Sequence, residues 1–209
     1  TFSNTTTPKS FTRSTAVEDL LVVFGATSDS ATIIDTPTGN SLVFHLEQSD
    51  TTSGYTAVYA WTTVDYLGGV GWTEAAARSA VANNWGINDF RFSAAAGIGA
   101  SDITHLASGA PSLNLTTVAD HSTVVVFVAD WNGVDGSSRT WRTVNGITPD
   151  FFTNGFERTY ASSTGVMTVY AAYYPDVGVA GTQTYGLSAP GGQKYTIVAV
   201  EVRCGRGIV

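Results

Sequence analysis

Apolar residues in this chain come in short runs, each closed by Gly, Pro, Asn or Asp. The second half shows the pattern most plainly: STVVVFVADW from Ser122, GVMTVYAAYYPD from Gly165, TQTYGLSAP from Thr182 and QKYTIVAVEVR from Gln193. β-Branched and aromatic residues at this density, cut by turn formers, predict strands. Upstream, residues 20–24 (LLVVF) form a continuous apolar run, the mark of a buried strand. Short strands are predicted at 31–34 and 41–47, on either side of a TPTGN turn. Residues 55–64 alternate, with Ala57, Tyr59 and Trp61 on one face and Val58, Ala60 and Thr62 on the other. In residues 85–92, Ile87, Asp89 and Arg91 oppose Asn88, Phe90 and Phe92. Residues 113–118 read as another strand and 121–131 as a central one.

Three stretches are less regular. Residues 71–85 (GWTEAAARSAVANNW) fit either a short helix capped by Thr73 or a strand of small side chains. Their place between two strands favours the strand. Residues 94–101 (AAAGIGAS) read as a glycine-punctuated loop, and 132–160 as the longest irregular region, holding one aromatic strand candidate, RTWRTVNG. Residues 1–16 are Thr/Ser-rich and predict a polar arm with room for a short strand. The sum is an all-β chain of about ten to twelve strands, a two-sheet antiparallel β-sandwich of jelly-roll type. With no linker or repeat, residues 17–209 are expected to form a single sandwich domain behind the arm.

Composition narrows the function. Of 209 residues, 43% are hydrophobic and only 13% charged, against about 25% charged in ordinary domains. The polar surface is therefore expected to be mostly Thr, Ser, Asn and Gly, and Thr and Ser cost less to bury against a neighbour than Lys or Glu. Net charge is −7, and the ten Lys and Arg are scattered. Without a basic stripe to neutralise phosphates, a nucleic-acid partner is not expected. Apolar runs fall well short of the ~20 residues of a membrane helix, so no membrane insertion is expected. The first residues lack the apolar segment of a signal peptide. A lone cysteine, Cys204, cannot form an internal disulfide, which suits a product of the cytosol.

Candidate chemistry is sparse. His45, His105 and His121 stand at no metal-binding spacing. Asp130, Asn132 and Asp135 in DWNGVDG are a weak calcium candidate, because hard cations want clustered oxygens. The calcium-loop spacing is not met, and a turn explains the same residues. Glu47, Asp89 and Glu157 could be nominated for glycoside hydrolysis only because that reaction requires carboxylates. There is no G-x-S-x-G, and no cofactor motif. Asn4 and Asn114 stand in glycosylation sequons, discounted without a signal peptide. Trp72, Trp131 and Trp141 lie near turns and are the candidate ligand-contacting aromatics, since exposed rings bind sugars and proteins. Trp61 and Trp85 sit within strand alternation and read as core.

The segments VVVFVADWNGVDGSSRTWRTVNG and TVYAAYYPDVGVAGTQTYGLSAPGGQKYTIVAVEVR, with LLVVFGATSDSATIIDTPTGNSLVFHLEQS and WGINDFRFSAAAGIGAS upstream, resemble a family of virion proteins from tailed phages of mycobacteria and related actinobacteria. The marks are A-D-W-N, R-T-W-R, the P-D-x-G-x-A-G-T turn and the closing A-V-E-V-R, together spanning about residues 17–203. The resemblance implies a β-sandwich built into the particle, a minor tail protein made in the host cytoplasm. It attaches no catalytic residues, so no enzyme activity is expected. Expected partners are other virion proteins, in a symmetric oligomer, and a host cell-wall glycan. A capsid decoration protein and a non-catalytic carbohydrate-binding module are the alternatives.

Overall fold

The computed structural model describes residues 2–3, 9–15, 18–28, 33–39, 41–65, 69–76, 84–131, 139–150, 156–162 and 165–205; of 2–3, 9–15, 65, 69–76, 156–162 and 165–166 it describes the backbone. The described residues are all-β, with fifteen strands in antiparallel sheets. The chain falls into two compact units, Thr1–Ala95 and Ala96–Val209.

The first unit holds β1 (Phe2–Ser3), β2 (Lys9–Thr15), β3 (Asp19–Thr27), β4 (His45–Asp50), β5 (Ala57–Asp65), β6 (Gly69–Ala76) and β7 (Trp85–Phe92). Five of these form a sheet in the order β1-β7-β3-β5-β4, and β2 pairs with β6 in a separate ribbon. β3 is central, and all nine of its residues are buried. Burial on both faces is why its sequence reads as a continuous apolar run rather than an alternation. The alternation expected in β5 is present. Ala57, Tyr59 and Trp61 join Leu21, Val23, Trp85 and Ile87 in one cluster, covered by Ile34, Leu42 and Phe44. Tyr59 and Trp61 stack at 5.3 Å. Burying each large aliphatic side chain of this kind stabilises by roughly 1.5–3 kcal/mol.

The second unit holds β8 (Ala95–Gly109), β9 (Ser112–Thr116), β10 (Thr123–Asp130), β11 (Thr140–Trp141), β12 (Phe156–Ser162), β13 (Gly165–Tyr174), β14 (Thr182–Ala189) and β15 (Gln193–Cys204). They form a five-stranded sheet, β12-β13-β10-β15-β8, and a three-stranded sheet, β11-β14-β9. The core lies between the two sheets, a sandwich. Val124, Val126 and Val128 of β10 meet Leu113 and Leu115 of β9, Tyr185 and Leu187 of β14, and Tyr195 and Ile197 of β15. β10 is the middle strand, buried along its whole length, as the run TVVVFVAD predicts.

Several expectations change. Residues 94–101 are no loop: 95–101 open the fifteen-residue strand β8. Part of the expected irregular region, 156–162, is β12, paired with β13. RTWRTVNG yields only the two-residue β11, followed by a tight hairpin. There Val144 and Ile147 exchange backbone hydrogen bonds of 3.0 and 2.8 Å. Asn145 and Gly146 between them both have positive φ, 50° and 80°, which an Asn-Gly pair permits at low cost. Within the polar arm Lys9–Thr15 is a strand, paired with β6 across a register shift between Arg13 and Ser14. Residues 71–76 of the ambiguous stretch are strand, part of β6, and 77–83 lie outside the described residues. These additions raise the strand count above the ten to twelve expected.

Candidate functional site

Glu201 interrupts the apolar run YTIVAVEV of β15. Its register partner is Val124 of β10, so it shares the core-facing side of the sheet with Ala199 and Ile197. It is 0% exposed. A lone carboxylate there would cost several kcal/mol. Instead its oxygens are surrounded by donors. Oε2 accepts the Ala100 N–H at 2.7 Å and the Val118 N–H at 2.9 Å. Oε1 accepts the Ser122 hydroxyl at 2.7 Å, the Ala119 N–H at 3.0 Å and a longer branch from Val118 at 3.2 Å. Gly99 completes the cradle, because a Cβ there would overlap the carboxylate. Burial is the largest influence and opposes the charge. The Ala100, Val118 and Ala119 N–H groups and the Ser122 hydroxyl together outweigh it and hold the carboxyl below the ordinary glutamate range.

The same segment is tied to a second one. Residues 117–122 and 175–181 form a double tip knitted by backbone bonds: Thr117 N–H to Gly181 O (3.1 Å), His121 N–H to Gly178 O (2.6 Å) and Val177 N–H to Ser122 O (2.9 Å). Asp120 accepts the Ala180 N–H at 2.8 Å. Asp176 accepts the Gly178 N–H at 2.8 Å and meets His121 Nδ1 at 3.1 Å. These two contacts, the Gly178 bond first, lower the Asp176 pKa. At the apex Val118 and Val179 are 65% and 72% exposed. The turn expected at Pro175–Gly181 is thus present, with Asp176 bonding the backbone two residues on.

Trp131 follows β10 half-buried, with Lys194 Nζ 4.9 Å from its ring centroid. Trp141 is also half-buried; it packs on the core cluster edge-on to Tyr170, 6.1 Å away, whose ring also meets the Arg139 guanidinium at 3.7 Å. Trp72 lies on β6, where its backbone pairs with Arg13. The three aromatics sit on separate elements, β6, the end of β10 and β11. Asp130 is buried at the end of β10, while Asn132 and Asp135 lie outside the described residues. Among the described residues no three His, Cys, Asp or Glu side chains come together. Of the nominated carboxylates, Glu47 accepts the Thr62 hydroxyl, Asp89 is buried on β7 and Glu157 is a backbone position on β12. Cys204 is exposed.

Glu201 escaped the sequence reading because its donors lie 79 to 101 residues away. A signal was present: one acid inside the run IVAVEV of β15, whose other members are all apolar. Comparison of the chain with protein-family models, curated proteins and solved structures gives no match.

Proposed function

We propose that this chain is a structural protein of a tailed-phage virion, a minor tail protein, with an architectural rather than catalytic role. The observation that carries the reading is the resemblance of about residues 17–203 to virion proteins of actinobacterial phages. The low content of charged residues agrees with it, as does the use of Glu201 to hold backbone rather than to face solvent. Cryo-electron microscopy of the phage particle, with this chain traced in the map, tests it. Density at the tail is expected. Density on the capsid shell would replace the reading with a decoration protein, and absence from the purified particle would overturn both.

Host-glycan attachment is a second reading, carried by Trp131, whose ring is partly open beside Lys194. Trp131→Ala is expected to abolish retention on host cell-wall polysaccharide in pull-downs. Equal retention of the variant and the parent would remove Trp131 from that role.

A further inference from the structure

We propose that Glu201 is an acid-operated latch: as a carboxylate it holds the double tip closed, and as a carboxylic acid it releases the tip while the sheets stay folded. The argument is one of donors and acceptors. Every group around the carboxylate donates: three backbone N–H groups and one hydroxyl. A carboxylate suits this, having only lone pairs to offer. A protonated carboxyl brings a hydrogen of its own into a ring of donors, and what it still offers the amides is a neutral, weaker acceptor in place of a charge. Ser122 is the single member of the ring able to reverse. Its hydroxyl lies 2.7 Å from Oε1 and also 2.8 Å from Ala119 O. With the proton on Oε1, Ser122 Oγ accepts it and turns its own hydrogen to Ala119 O. That leaves the Ala119 N–H and the longer branch from Val118 on the oxygen of a neutral O–H, while the main Val118 bond stays on an oxygen that has lost its charge. Ala100 belongs to β8, an edge strand hydrogen-bonded to β15, whereas 117–122 is a loop whose remaining ties run mainly to the second tip segment. The loop is therefore the part that yields, and the second segment loses its support with it.

Other ionisable groups face this region. Asp120, His121 and Asp176 lie on the tip itself. Tyr185 approaches from β14. Arg203 is two residues along on β15, bonded to Ala96 O, and Asp102 lies on β8, bonded to its neighbouring Ile103 N–H. Asp120 and Asp176 also clamp tip amides, so they are the rival operators.

Amide hydrogen exchange against pH, corrected for intrinsic rates, is the test. Lowering pH is expected to speed exchange at Val118, Ala119, Gly178, Ala180 and Gly181 together by at least about tenfold. Amides of Val124–Val128 and Ile197–Ala199 should keep their protection. E201Q, neutral at every pH and offering one acceptor fewer, is expected to show the open pattern already at pH 7. D120N and D176N are expected to keep the transition. The proposal is overturned if tip protection does not change with pH, if it is lost only with the core amides, or if D120N or D176N abolishes the transition. Should E201Q fail to fold, the parent chain and the two aspartate variants still decide the matter.

Discussion

Glu201 and Gly99 fit each other across two strands, and each constrains what the other position tolerates. E201A would leave three part-buried N–H groups without their acceptor, at a cost of about 3 kcal/mol; urea denaturation should show it as a lower midpoint at unchanged slope. G99A forces a methyl into the carboxylate and is expected to cost roughly 1–3 kcal/mol. Because the folded pKa of Glu201 lies below its unfolded value, its contribution is fully present above the ordinary glutamate range, near 4.3. It is lost as pH falls through the lower folded value. Acid unfolding of the parent should therefore be steeper below about pH 4 than that of E201Q. Two tyrosines give an alkaline counterpart. Burial raises both Tyr174 and Tyr185 from 10.0 to about 12, so their contribution is complete below pH 10 and lost as pH rises through about 12. Absorbance of tyrosinate should rise in two stages, with the later stage accompanying unfolding. The two differ in bonding. The Tyr174 hydroxyl donates to Arg142 O at 3.0 Å, whereas the Tyr185 hydroxyl meets no hydrogen-bond partner among the described residues. Y174F is expected to cost about 1 kcal/mol and Y185F to cost nothing or to stabilise slightly, as thermal denaturation would report.

At the scale of the element, strands wholly buried or cleanly alternating were legible in the sequence: β3, β5, β7, β9, β10, β13, β14 and β15. Their side chains carry the signal because each faces a core. β8 was not legible, because Ala and Gly are the residues that punctuate loops elsewhere. In this strand the glycine at 99 makes room for Glu201, a requirement imposed from about a hundred residues away. β2 was hidden for a different reason. All its residues but Phe11 are polar, and what makes it a strand is pairing with β6 rather than its own composition. Deleting residues 1–15 removes that partner. The truncated chain is expected to be cut faster within 69–76 in limited proteolysis mapped by mass spectrometry, while 193–204 resists as before. Equal cutting in both chains would show that β6 does not depend on the ribbon. Of the candidate aromatics, sequence placed Trp131 and Trp141 near turns, which they are. It could not show that Trp141 leans into the core, because the ring it meets, Tyr170, lies on β13.

For the whole molecule, seventeen acids against ten scattered bases predict weak attraction for a polyanion. Fluorescence anisotropy with labelled duplex DNA at about 0.1 M salt is expected to show no saturable binding; a steep salt-sensitive isotherm would revive nucleic acid as a partner. Architecture at this scale also has a history in time. β10 is the centre of its sheet, yet its two neighbours are β13 and β15, made only after residues 165 and 193. At ordinary translation speeds the segment TVVVFVAD leaves the ribosome on the order of seconds before either partner exists. It has high β-propensity, little charge and no proline, the features that let identical strands stack on one another. Soluble yield in a recombinant host should therefore depend on what shields the nascent chain during that interval. Co-expressing a chaperone that covers emerging apolar strands is expected to raise the yield more than any substitution that stabilises the finished sheet.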